Sequence, residues 1–245
     1  MAPILQLTLQ GLQADMARLD QVAINLANVQ TPAFKREVTA SAGFARRIDA
    51  GAPVLAGGVH LDARPGTLRS TGRALDVALA GPGWFEVRTD RGPAYTRQGE
   101  FRVDALGRLV TAQGHAVMGV GGEIRLTSSN PVIDTQGRIF DAAPGTTTSR
   151  RLADAVAQLK VVQVPASAPV ERLGQGLVRL LVEPETAGAL QAEVRQGHLE
   201  NSNVDPAREM VQLVQAMRHA ETLQKVGLGY DEMLGNAIRR LGEMS

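Results

Sequence analysis

The chain contains no cysteine, which excludes a disulfide framework, a thiolate metal site and a thiol nucleophile. Aromatic residues are scarce: one tryptophan, two tyrosines and five phenylalanines leave no stacking platform for bases or sugars. Neither sign of charge prevails. With 26 Lys+Arg against 25 Asp+Glu, nothing draws the chain to nucleic acid, an anionic membrane or an acidic substrate. No apolar run approaches the roughly 18 residues of a membrane span, so no membrane insertion is expected. No positive charge precedes Arg18 and no small-residue cleavage site follows an apolar block, so no cleavable secretory signal is expected.

Catalytic signatures are missing as well. His60, His115, His198 and His219 lie far apart, without metal-ligand spacing. No nucleophile elbow, phosphate-binding loop or dinucleotide fingerprint appears, and Gly119, Gly121 and Gly122 fit a hairpin turn between short strands. Glu86, Asp90, Glu100 and Asp104 alternate with turn glycines, as solvated hairpin charges do, and no pair of acids is flanked by sugar-stacking aromatics. The expectation is a protein that is not an enzyme and takes no cofactor, metal or small-molecule substrate.

What is present begins with Leu5 to Lys35. Leu5, Leu9, Leu12, Met16, Leu19, Ala23 and Leu26 recur in steps of four and three, the spacing of a coiled-coil seam, with Gln6, Gln10, Gln13, Arg18 and Gln21 opposite. The pattern stops at Asn28, and Thr31-Pro32 opposes further helix because the proline ring pushes the residue before it out of the α region. From Glu37 to Leu61 periodicity is lost and Ala and Gly dominate, which predicts an extended connector.

Between Arg64 and about Pro184 the chain turns to short β-branched or aromatic runs, such as Trp84–Arg88, Phe101–Val103, Leu109–Thr111 and Leu177–Val182. Gly81-Pro82-Gly83, Asp90-Arg91-Gly92, Asp104 to Gly107 and Gln136-Gly137 punctuate them, the texture of an antiparallel all-β domain. After Ala187 that texture ends. Asp205 then suits a helix N-cap and Pro206 the first helical position, where a missing N–H costs nothing. Apolar residues recur from there almost to the end of the chain, although Gly227 and Gly229 each cost about 1 kcal/mol in a helix interior.

The expected fold is therefore α+β: long N- and C-terminal helices pairing as a coiled coil, with a central antiparallel all-β domain. Residues 1–36 and 200–245 would form the helical polymerisation domain, 37–63 a linker and 64–199 the β domain. The seam positions expected to carry subunit assembly are Leu5, Leu9, Leu12, Met16, Leu19 and Leu26, with Met210, Val214, Met217 and Leu223 as their partners. One helix pair leaves much of the second stripe uncovered, and an exposed stripe of that size marks an interaction surface.

Three blocks carry a resemblance. LDQVAINLANVQTPAFKR (19–36) has Asn25, Leu26, Ala27, Asn28, Thr31, Phe34 and Lys35 at its core. The second runs from 65 to 119 and contains LDVALAGPGWFEV and AYTRQGEFRVDALGRLVTAQGHAVMG. The third, GHLENSNVDPAREMVQLVQAMRHAETLQK (197–225), carries Leu199, Glu200, Ser202, Asn203 and Val204. In this order they resemble the bacterial flagellar basal-body rod and hook proteins, closest to the proximal-rod type, with the distal-rod type next. The chain departs from that pattern at Ala33, where the family usually carries glycine, which implies a looser turn before Phe34.

The resemblance implies a structural subunit of the flagellar rod, in the basal body and periplasm. Its partners would be further copies of itself and other rod proteins, and the flagellar type III apparatus would export it without a cleaved signal. It also implies terminal helices that order on polymerisation around a central channel. A rod-associated peptidoglycan hydrolase and an export chaperone are the alternatives from other classes; the first lacks an acid pair and the second has no need of a large β domain.

Overall fold

The computed structural model describes residues 3–39, 59–141, 155–164, 170–180 and 192–242. The chain divides into two compact units. One consists of Met1–Ala27 with Val204–Ser245, the other of Asn28–Asn203.

The first unit holds helix α1 (Pro3–Ala27) and helix α2 (Pro206–Gly242). Asp205 caps α2, its Oδ1 accepting from the N–H groups of Ala207 at 3.0 Å and Arg208 at 3.3 Å, so two of the helix's orphan donors are satisfied. The expectation of long helices pairing as a coiled coil through the named seam is overturned here. Such a seam needs its knobs buried, yet Leu9, Met16, Met210, Val214 and Met217 are exposed, from 47% for Val214 to 65% for Met16. Leu12, Leu19, Leu26 and Leu223 are only half-buried, and the side chain of Leu5 lies outside the described ones.

The two helices meet instead through small and polar groups. Asn25 Nδ2 donates to Glu209 Oε2 at 3.2 Å, and His219 Nδ1 lies 2.6 Å from Asp15 Oδ2. Gly11 sits so close to α2 that an added Cβ would stand 2.7 Å from Cδ1 of Leu223. The spacing of apolar residues is helical, but the face buried is turned away from the one they mark, and Thr8, Asp15, Gln21, Val22 and Asn25 are the buried side chains of α1 among the described ones.

The second unit is built from antiparallel strands. They are β1 (Glu37–Thr39), β2 (Val59–Leu61), β3 (Leu68–Ser70), β4 (Val77–Ala80), β5 (Trp84–Thr89), β6 (Gly92–Thr96), β7 (Phe101–Val103), β8 (Leu109–Thr111) and β9 (Ala116–Gly119). After these come β10 (Gly122–Glu123), β11 (Val132–Ile133), β12 (Arg138–Phe140), β13 (Ala157–Gln158), β14 (Val161–Val162), β15 (Val170–Gly174), β16 (Leu177–Leu180), β17 (Glu193–Gln196) and β18 (His198–Glu200). Among the described residues the main sheet runs β15-β16-β6-β5-β9-β8-β7, with β10 beside β9 and β14 beside β5. A second sheet is β11-β12-β13, and three two-stranded pairs join β1 to β2, β17 to β4 and β18 to β3.

Alternation along β5 builds two apolar clusters. Phe85 and Val87 point into the main core with Val77, Leu79, Phe101, Leu109, Ile124 and Ile139, while Trp84 faces Tyr95, Val162 and Val178 on the other side. Phe85 and Phe101 meet edge to face, their ring centroids 5.3 Å apart.

Two hairpin turns share one construction. Asp104 Oδ1 accepts from the N–H groups of Leu106 and Arg108, and Asp134 Oδ1 from those of Gln136 and Arg138. Gly107 (φ 76°) and Gly137 (φ 74°) take the left-handed conformation that closes each turn.

Two expectations change. The expected connector begins and ends in paired strand, Glu37 opposite Leu61 and Thr39 opposite Val59, while residues 40–58 lie outside the described ones. The β texture does not end at Ala187: β17 and β18 follow, Val194 opposite Leu79 and Leu199 opposite Arg69. Leu181 and Val182 of the run from Leu177 also lie outside.

Candidate functional site

Three short segments of the β unit converge: residues 33–37, which follow α1 in the chain, residues 62–67, and residues 197–203, which precede α2. Glu200 sits at their centre, its side chain fully buried. Its Oε1 accepts from Lys35 Nζ at 2.6 Å and from the Gly66 N–H at 2.7 Å, and its Oε2 accepts from Arg97 Nε at 2.9 Å. Both cations are buried with it. Further donors of both go to backbone carbonyls, Lys35 Nζ to Arg64 at 2.8 Å and Arg97 Nη1 to Gly81 and Gly83 at 2.8 and 2.7 Å.

Burial pulls the Lys35 ammonium below the ordinary lysine value of 10.5. The Glu200 carboxylate opposes that pull, and the neighbouring Arg97 charge adds to it. A buried charge is tolerated only when paired and hydrogen-bonded. Here one carboxylate holds two cations, and neither has a second carboxylate in bonding contact among the described residues.

Asn203 binds the same segments through its backbone and its amide. Its N–H donates to the Phe34 carbonyl at 3.2 Å, its Oδ1 accepts from the Arg36 N–H at 2.7 Å, and its Nδ2 donates to the carbonyls of Asp62 and Arg64, both at 2.9 Å. The two carbonyl partners fix which end of the amide is nitrogen. Phe34 is buried with the Arg172 guanidinium 4.6 Å over its ring, and Arg172 Nη2 donates to the Lys35 carbonyl at 2.6 Å.

The turn before Phe34 closes through Thr31 N–H to the Asn28 carbonyl and Phe34 N–H to the Thr31 carbonyl, at 3.1 and 3.2 Å. The looser turn implied by alanine at 33 is not what forms. Ala33 takes φ 55°, a conformation suited to glycine, while its N–H donates to the Glu200 carbonyl at 2.7 Å.

The family-motif positions thus fall in different places. Phe34, Lys35, Leu199, Glu200 and Asn203 come together around the buried charges; Asn28 and Thr31 form the turn that leads in; Asn25 and Val204 are buried in the helical unit; Leu26 and Ala27 lie on α1, and Ser202 is half-buried. Arg97, Gly66 and Arg172 were not anticipated, and nothing in the runs that contain them marks them. Among the described residues no cluster of His, Asp or Glu has a metal-binding arrangement, and no helix is long and apolar enough to cross a membrane.

Comparison with known proteins gives a consistent picture. Residues 78–141 match the model of the flagellar hook protein FlgE/F/G D1 domain, and residues 195–240 that of the flagellar basal body rod FlgEFG protein C-terminal region, which includes Glu200 and Asn203. The chain is 34% identical over 230 residues to the flagellar basal-body rod protein FlgF of Salmonella typhimurium, covering 89% of this chain and 90% of that one. It is 34% identical over 230 residues to FlgF of Escherichia coli, with the same coverage, and 28% identical over 266 residues to the rod protein FlgG of Bacillus subtilis, covering 94% and 96%.

Proposed function

The chain belongs to the flagellar basal-body rod protein family and is a structural subunit of the rod, and on that premise we propose that it occupies the proximal rod and is held there by its terminal helices. The observation that carries the reading is the outward apolar face of both helices. Leu9, Met16 and Ile24 on α1, and Met210, Val214, Met217 and Met233 on α2, are all exposed. Faces of this kind are covered by a neighbour in a working assembly. Further copies of the chain and other rod proteins are the partners, each meeting a different patch, so the assembly extends as an open helix instead of closing.

In this reading the role is mechanical and not enzymatic. The chain binds no nucleic acid or small-molecule substrate, does not insert in the membrane, and reaches the periplasmic rod through the flagellar type III export apparatus. The seam positions Leu5, Leu9, Leu12, Met16, Leu19, Leu26, Met210, Val214, Met217 and Leu223 contribute to contacts between subunits. The relatives named FlgG, similar over nearly their whole length, support the distal rod as the second placement.

The test is a double variant, Met16→Asp with Met217→Asp. Both side chains are exposed in the single chain, so its β unit keeps its thermal transition, whereas incorporation into basal bodies and motility are lost. Motile cells carrying the double variant would overturn the reading.

A further inference from the structure

Residues 193–203 touch several separate parts of the β unit: β4, β3, the Ala74, Pro131 and Ile133 backbone, and the Lys35–Arg97 pair. Strand β17 pairs along the whole of β4, whose Val77, Ala78 and Leu79 are fully buried, and among the described residues it is the strand partner β4 has. The Gln196 side chain bonds three ways, accepting from the Ile133 N–H at 3.1 Å and donating to the carbonyls of Ala74 at 2.8 Å and Pro131 at 2.7 Å. Strand β18 pairs with β3, and Glu200 then supplies the counter-charge for Lys35 and Arg97, which lie 165 and 103 positions away in sequence.

Without these residues the rest of the unit cannot reach its final state at low free energy. Backbone groups of β4 would be buried without partners, at a cost comparable to a lost hydrogen bond for each. Lys35 and Arg97 would be two like charges, out of water and close enough for Arg97 to weigh on Lys35, with only the weaker pull of Asp62 on Lys35 left to oppose them. The β5–β6 hairpin depends on none of this. Its strands pair from Phe85 opposite Thr96 to Thr89 opposite Gly92 around a short turn, a local contact that forms early.

We propose that the β unit closes in two steps: a local hairpin core forms first, and the segment 193–203 then latches it, with Glu200 as the group that allows Lys35 and Arg97 to be buried. The unit stays open until the segment 193–203 joins it. The inference rests on contacts within the β unit and stands whether or not the assembly reading holds.

The experiment is refolding of the full-length protein from urea with pulsed hydrogen exchange, resolved by peptide mass spectrometry. Amides from Val87 to Thr96 that bond across the β5–β6 pair are expected to become protected in a fast phase, whereas the Glu86 N–H, which donates to the Lys160 carbonyl, is not among them. Those of Ala78–Ala80 and Glu193–Glu200 are expected together in a later one; the Val77 N–H is left out because it donates to the Gly99 carbonyl. Glu200→Gln is expected to slow the later phase by about tenfold or more while leaving the fast phase unchanged, because the charge it removes matters only at the latching step. Should the variant not refold to completion, the order of the two phases in the unaltered protein still decides. Protection of β4 in the fast phase, before the segment 193–200, would overturn the proposal, and so would an unchanged later phase in a variant that folds.

Discussion

Lys35 Nζ lies 2.6 Å from Oε1 of Glu200 across 165 positions of sequence, and both side chains are buried. This one contact ties the segment leaving the first helix to the segment entering the last, within the β unit.

Glu200 is the member of the cluster whose loss costs most. Glu200→Gln leaves two buried cations without a counter-charge and is expected to destabilise the β unit by about 3–5 kcal/mol. Lys35→Met is expected to cost less, since Arg97 and the Gly66 N–H still bind the carboxylate. Urea unfolding of the two variants checks this. The reverse order would contradict the assignment of Glu200 as the centre.

The pH dependence of Lys35 has a defined sign. Its folded pKa is lowered, so between that value and 10.5 the unfolded chain holds more protons and stability from this group rises with pH. The difference in unfolding free energy between the unaltered protein and Lys35→Met should therefore increase through alkaline pH and level off above about 10.5. Taking the difference removes Tyr95, whose pKa burial pushes up in both proteins. A difference that stays level up to about pH 10.5 and falls above it would mean that pairing with Glu200 outweighs burial.

Ala33 offers a gain. At φ 55° an alanine gives up roughly 1–2 kcal/mol that glycine does not. After the extra chain entropy of glycine in the unfolded state, Ala33→Gly is expected to stabilise by about 0.5 kcal/mol. Ala33→Val should destabilise, because branching at Cβ makes that backbone conformation worse. Thermal unfolding of both variants tests the pair, and a destabilising glycine would contradict the strain argument.

Much of the fold was legible because it is written in local signals. Asp205-Pro206 marks the start of α2, and Asp104 and Asp134 with their glycines mark turns by chemistry confined to five residues. Strands β17 and β18 were missed because Glu193 to Glu200 is short and polar, and becomes strand only through partners more than a hundred residues away. The pairing of the two helices was not legible for a related reason. A heptad pattern shows that a stripe exists, but not whether the neighbour that covers it belongs to the same chain; here Asp15, Asn25 and Glu209 took the inner face and the methionines the outer one. The site was half legible. Lys35, Glu200 and Asn203 were singled out through the family resemblance, yet nothing in the sequence says that Lys35 and Arg97 share one carboxylate.

The most direct test of the central claim is to delete the gene, purify the basal bodies that remain, and identify their rod proteins by mass spectrometry. A proximal-rod subunit predicts remnants that lack the distal rod and hook. Intact flagella in the deletion strain would contradict the assignment to the rod.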